Sequence, residues 1–264
     1  MGVLVRYLLT HGGDVEVLVV DHGSTDETLA VARAAGARVI ESKKAGRAAQ
    51  MNLGAELAMG EVLYFLHADT IPPKNFASAI RERLAQGCCA GSFCLRFDDP
   101  HWSFWWGHFI SCLPFTIMRF GDQTLFVERN VFRSIGGFRD DMLVFEDQEI
   151  FVRLRVRGCI CVVHHEVITS SRKFREVGIM RLHGVYMILV ALYALGASQS
   201  LLVQIYKRLI KIKESSGTPA IVNPTSLTGA SSFSRYAQVA QGATLKLPEA
   251  PLDDEQVTGS FGGN

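Results

Sequence analysis

The sequence predicts an α/β protein built on a mainly parallel sheet. Three observations carry this reading. Short, wholly apolar runs such as Val17–Val20 and Val62–Leu66 have the character of strands buried on both faces. Amphipathic stretches follow them after short links. Glycines such as Gly36, Gly60 and Gly158 punctuate the ends of those stretches.

The elements are expected in this order. Residues 3–9 read as a helix stopped by His11-Gly12-Gly13-Asp14, and 15–20 as a strand. Asp21 to Asp26 is a turn, and 26–35 a helix. A short strand at 38–41 precedes a helix at 47–59. The strand 62–66 empties into His67, Asp69 and Thr70, and a helix follows at 72–84. Beyond Gln86 the pattern changes to a strand at 89–97, an aromatic segment at 102–118, a strand at 124–127 and a short helix at 130–135. A helix at 145–157 opens on Glu146-Asp147-Gln148-Glu149, and strands are expected near 160–163 and 167–170. Residues 178–212 read as one long apolar helix, packed on the domain or lying at a membrane surface rather than spanning it. Lys207, Arg208, Lys211 and Lys213 suit an anionic lipid surface. The boundaries expected are a domain at 1–175, the apolar helix at 176–213 and a disordered tail at 214–264, rich in Ser, Gly, Thr and Pro.

The 264 residues suffice for a large core. Lys plus Arg (27) nearly equal Asp plus Glu (26), so nothing points to nucleic acid. Six cysteines lack any CxxC pair and read as packed free thiols. With no leader-like N-terminus and no Asn-x-Ser/Thr acceptor, a reducing, cytoplasmic setting is expected, with membrane association on the cytosolic face. His164-His165-Glu166 suggests metal, but strand alternation places the two histidines on opposite faces.

Five segments occur in a set order: VLVVDHGSTDET at 17–28, GRAAQMNLGA at 46–55, LYFLHADTIPP at 63–73, GDQTLFVERNVFRSIGGF at 121–138 and FEDQEIFVRLR at 145–155. Together they resemble the family 2 glycosyltransferases with the GT-A fold, in particular the small bacterial-type subgroup whose metal motif reads His-Ala-Asp-Thr. The resemblance covers roughly residues 15–209. It implies transfer of a sugar, with inversion, from a nucleotide-diphosphate sugar to a sugar, lipid or other hydroxyl acceptor, with Mn²⁺ or Mg²⁺ as cofactor.

The chemistry requires a metal to neutralise the diphosphate leaving group and a base to deprotonate the acceptor. By resemblance Asp69 is the metal and diphosphate ligand, whereas on spacing alone it also suits a helix cap. His67 is a metal ligand or a packing residue, and imidazole favours Mn²⁺ over Mg²⁺. Asp147 matches the family's base; the alternative is that it and Glu146 only answer the helix dipole. Asp21, Arg47 and Asn52 fall where the family touches the nucleotide, although Asp21 also suits a turn and Arg47 a solvated first turn. Asp122, Gln123 and Glu146 are placed on the acceptor side, and Arg172 is a weaker phosphate candidate. The Trp102–Trp106 segment suits core or membrane contact more than sugar stacking.

Two departures accompany the resemblance. His22 stands where relatives carry Asp or Gly. Relatives also open on a strand and a Pro-Thr-x-Asn-Glu-like turn, whereas this chain begins at the helix that follows them. Residues 6–14 are too short for a parallel crossover. The expectation is an N-terminally truncated domain whose sheet lacks a central strand, with unpaired backbone on both neighbours. The rival expectation is a catalytically impaired relative that binds a membrane or partner through the aromatic segment and the apolar helix.

Overall fold

The computed structural model describes residues 1–113, 123–211 and 242–245. Helix α1 (Gly2–Gly12) leads to β1 (Leu18–Asp21), α2 (Thr28–Ala34), β2 (Arg38–Glu41), α3 (Arg47–Leu57) and β3 (Val62–Phe65). A two-residue strand β4 (Thr70–Ile71), α4 (Phe76–Ala85) and β5 (Cys88–Phe97) follow. Next come α5 (Ser103–Ser111), β6 (Leu125–Glu128), α6 (Arg129–Ser134), α7 (Glu146–Arg157) and β7 (Cys159–Thr169). The described chain closes with α8 (Arg172–Val177), α9 (Ile179–Ala194), α10 (Gln199–Lys211) and β8 (Gly242–Leu245).

Strand alternation sends the side chains of β3 to two cores. Val62, Tyr64 and Leu66 join Val5 and Leu8 of α1 and Phe76 and Ile80 of α4. Leu63 and Phe65 face Met51 of α3, Phe132 of α6 and Ile150 and Leu154 of α7. Burial on both sides explains why the strand is unbroken apolar sequence. It also pushes the Tyr64 phenol far above its ordinary pKa.

The α/β class is as expected, but the pairing is more antiparallel than the strand–helix rhythm suggested. One sheet has the order β4-β7-β5-β6-β3-β8, and β1 and β2 pair separately. Only β1–β2 and β5–β7 are parallel among the described ladders. The strands after Gln86 insert next to partners distant in sequence, a choice that local periodicity does not encode.

Four further expectations are corrected. The strands near 160 and 167 are one strand, β7, in which His164 and His165 form a bulge between the Phe93–Val163 and Cys94–Glu166 pairs. The bulge suspends the alternation assumed for the two histidines. The single helix at 178–212 is a hairpin, α9 and α10, turned at Gly196 with φ +82°. No helix among the described residues is long and apolar enough to cross a membrane. Two of the six cysteines are not free thiols: Cys94 and Cys112 form a disulfide, because α5 folds back along β5. Finally, the segment 214–264 contains β8, which hydrogen-bonds to β3.

Candidate active site

The loop after β3 is pinned at both ends. Thr70 N–H donates to the His67 carbonyl at 3.1 Å. Thr70 then pairs with Thr169 of β7, and their buried hydroxyls bond at 2.9 Å. Asp69 sits exposed in this turn. It caps no helix, since α4 begins only at Phe76.

Arg47 opens α3 and reaches across the site. Its Nη2 donates to His67 Nε2 at 2.7 Å and to Asp147 Oδ2 at 3.2 Å. Its Nε lies 3.2 Å from Glu146 Oε1. Arginine cannot accept a hydrogen bond, so His67 Nε2 must carry its lone pair toward Arg47. The guanidinium therefore brings the His67–Asp69 loop and the first turn of α7 to one place. It is not a solvated first-turn side chain, and Glu146 and Asp147 do more than face a helix dipole. Two carboxylates, Glu146 and Asp147, share the one guanidinium, and Asp69 lies two residues beyond His67 in the turn. Among the described residues no three His, Cys, Asp or Glu ligand atoms converge at Asp69. The one such group is Cys94, Cys112 and His164, two of which are joined in the disulfide. A cation at Asp69 would complete its shell from water and donor phosphates, and from His67 Nε2 only once Arg47 releases it.

The other candidates divide. Asp21 is buried at the end of β1 and takes both the Ser24 N–H, at 2.9 Å, and the Ser24 hydroxyl. It thus closes the turn that follows β1. The neighbouring His22 ring bonds through Nδ1 to the Ser42 carbonyl at 2.8 Å, tying the ends of β1 and β2. Asn52 does not join the Arg47 cluster. Its amide bonds the Phe138 N–H (2.9 Å), the Phe138 carbonyl (2.8 Å) and Asp140 (3.1 Å). Gly137 makes that close approach feasible: its φ is +70°, and a Cβ there would lie 2.6 Å from Asn52 Oδ1. Gln123 is buried before β6, next to Thr124. Asp122 lies outside the described residues. Arg172 is exposed at the start of α8, and no bond joins it to the cluster among those described.

Among the described residues two non-glycines have positive φ, Thr124 (66°) and Phe145 (64°), and each adjoins a candidate residue. Such backbone costs of the order of 1–3 kcal/mol and tends to mark functional positions. Phe145 aims α7 into the site, and its ring packs on Tyr193 of α9 at 5.0 Å. Gln199, at the start of α10, accepts from the N–H groups of Leu143 and Val144, both at 3.1 Å. Tyr193 and Gln199 lie outside the five motifs, and only Phe145 falls within one. Ser198-Gln199 does interrupt the apolar run, the visible trace of the second helix start.

Glycosyl transferase family 2 matches this chain over residues 4–139, just over half its length. The chain belongs to glycosyl transferase family 2. No curated protein sequence matches it. Its fold is similar to that of the GT-A enzymes among solved structures. A mannosyltransferase from Pyrobaculum calidifontis, solved with GDP-Man and Mn²⁺, superposes with a TM-score of 0.55 at 16% identity, over 83% of this chain and 73% of that one. S. aureus TarS 1–349 gives 0.51 at 16%, over 78% and 66%. Glucosyl-3-phosphoglycerate synthase from Mycobacterium tuberculosis, with Mn²⁺, UDP-glucose and glycerol 3-phosphate, gives 0.51 at 17%, over 74% and 76%. The chain therefore spans slightly less than two thirds of the TarS fragment's length.

Proposed function

We propose that this glycosyltransferase moves a sugar, with inversion, from a nucleotide-diphosphate donor to a hydroxyl acceptor, using Mn²⁺ or Mg²⁺. The observation that carries the reading is the Arg47 bridge between His67 and the Glu146-Asp147 pair. The metals and nucleotide sugars bound by the mannosyltransferase and the phosphoglycerate synthase support it.

In this reading Asp147 takes the proton of the acceptor hydroxyl. The acceptor oxygen bonds the anomeric carbon as the carbon–oxygen bond to the diphosphate breaks, and that electron pair leaves on the nucleoside diphosphate. Asp69, with His67, would hold the cation, which supplies Lewis-acid neutralisation of the leaving group. One carboxylate and one imidazole suit Mn²⁺ somewhat better than Mg²⁺. Arg47 has a second task. Paired with Asp147 in the free protein, it is drawn to the incoming diphosphate, a stronger partner, and its departure frees Asp147 to act as base. Asp21 lines the nucleoside end of this pocket from the end of β1. Gln123, Asp122 and Glu146 serve the acceptor side, which takes a sugar, lipid or other hydroxyl compound.

Calorimetry with UDP- and GDP-sugars tests the donor site. Binding should require Mn²⁺, vanish with chelator and vanish in Asp69→Ala. Metal-independent binding that survives in Asp69→Ala would contradict the role of Asp69.

A second reading rests on α5, where Trp102 and Trp105 are each 64% exposed and Trp106 and Phe109 accompany them. That aromatic face supports contact with a membrane surface or partner. Flotation with anionic liposomes, lost when both exposed tryptophans become serine, is the expected result.

A further inference from the structure

The slot beside β3 is filled from far along the chain. On one edge β3 pairs with β6, and on the other with β8 in antiparallel register: Val62 with Leu245, Leu63 with Thr244, Tyr64 with Ala243 and Phe65 with Gly242. β8 also lies against β1 and α3. No ladder joins β1 to β3 among the described pairs, and the other edge of β1 belongs to β2. β8 thus stands between the strand that carries Asp21 and the strand that leads into His67 and Asp69.

We propose that Gly242–Leu245 is a donor strand supplied in cis, filling a strand-accepting groove between β1 and β3 and so holding the two halves of the donor site in register. The physical need is plain. β3 is buried on both faces, and a buried backbone N–H or carbonyl without a partner costs about 1–3 kcal/mol. Two β3 residues out of four point their backbone groups to the β8 side, because antiparallel pairing alternates. Recognition of this kind draws its affinity from main-chain hydrogen bonds. The connection, residues 212–241, lets one chain supply both groove and strand. The consequence for catalysis rests on the donor-site reading above; the strand insertion itself does not.

Amide hydrogen exchange on the full chain tests the insertion. In the unmodified protein, alternate amides within 242–245 and alternate amides within 62–65 should exchange at least about tenfold more slowly than in an unstructured chain, independently of protein concentration. Exchange at unstructured rates across 242–245 overturns the proposal. So does protection that grows with concentration alongside a dimer mass, since the strand would then come from a second copy. The variant Ala243→Pro/Thr244→Pro removes two of the segment's four N–H donors, one of them facing β3, and breaks the strand. It should strip protection from the β8-facing amides of β3 while the β6-facing ones keep theirs, and Thr244→Val should change neither. Unchanged β3 protection in the double-proline variant also overturns it. Loss of sugar transfer with protection intact would count against the catalytic reading and leave the donor strand standing.

Discussion

Arg47 and Asn52 share helix α3, yet they do different work. Arg47 joins His67 to Glu146 and Asp147, whereas Asn52 spends its amide on the Gly137–Asp140 loop. Asn52→Ala should therefore cost about 1–3 kcal/mol of stability, the penalty for leaving buried partners without bonds. Denaturant unfolding measures that loss, and donor affinity should stay within about twofold of the parent; a large affinity loss with unchanged stability would place Asn52 at the nucleotide instead. The motif makes Arg47 and Asn52 look alike, because a position in a pattern does not say where a side chain points. Asp69 was more legible. The apolar run of β3 fixes where the strand ends, and the pairing of Thr70 with Thr169 shows why the turn there is held.

Helix α7 is braced by residues outside the motifs. Its entry residue Phe145 has φ 64° and rests on Tyr193, while Gln199 holds the two N–H groups just before it. The α9–α10 hairpin is thus a brace for Glu146 and Asp147, packed on Val144 and Phe145. Gln199→Ala leaves two backbone donors without their acceptor. It should lower kcat by about tenfold, with smaller change in KM and recovery in Gln199→Glu; steady-state kinetics with the preferred donor reads this directly. Equal kinetics for Gln199→Ala and the parent would remove the brace. The hairpin was hard to read because an apolar run of this length is compatible with one helix or two. The choice was made by Gly196 at φ +82° and by the loop that α10 must reach, a tertiary demand.

At the scale of the molecule, the alternating burial of β3 organises three layers: α1, α2 and α4 on one face of the sheet, and α3, α6 and α7 on the other. That much follows from apolar strands and amphipathic helices in alternation. What does not follow is the neighbour of each strand. Pairing depends on surfaces far apart in sequence, so β6 between β3 and β5, and β8 at the other edge of β3, were invisible to periodicity. The Cys94–Cys112 disulfide, 18 residues apart, depends on the same kind of fold-back. The edge of β3 that β6 leaves open pairs with β8, a strand far along the sequence. With β3 supported on both edges, the His67–Asp69 loop, Arg47 and the first turn of α7 meet as one site, and the decisive question is whether that site transfers sugar. The most direct measurement compares the purified full chain with Asp147→Asn, given Mn²⁺ and a nucleotide sugar that calorimetry shows to bind. A general base contributes about 10²–10⁴ in rate, so turnover should fall by that much while donor affinity stays within about twofold. Near-normal turnover by Asp147→Asn would contradict the account.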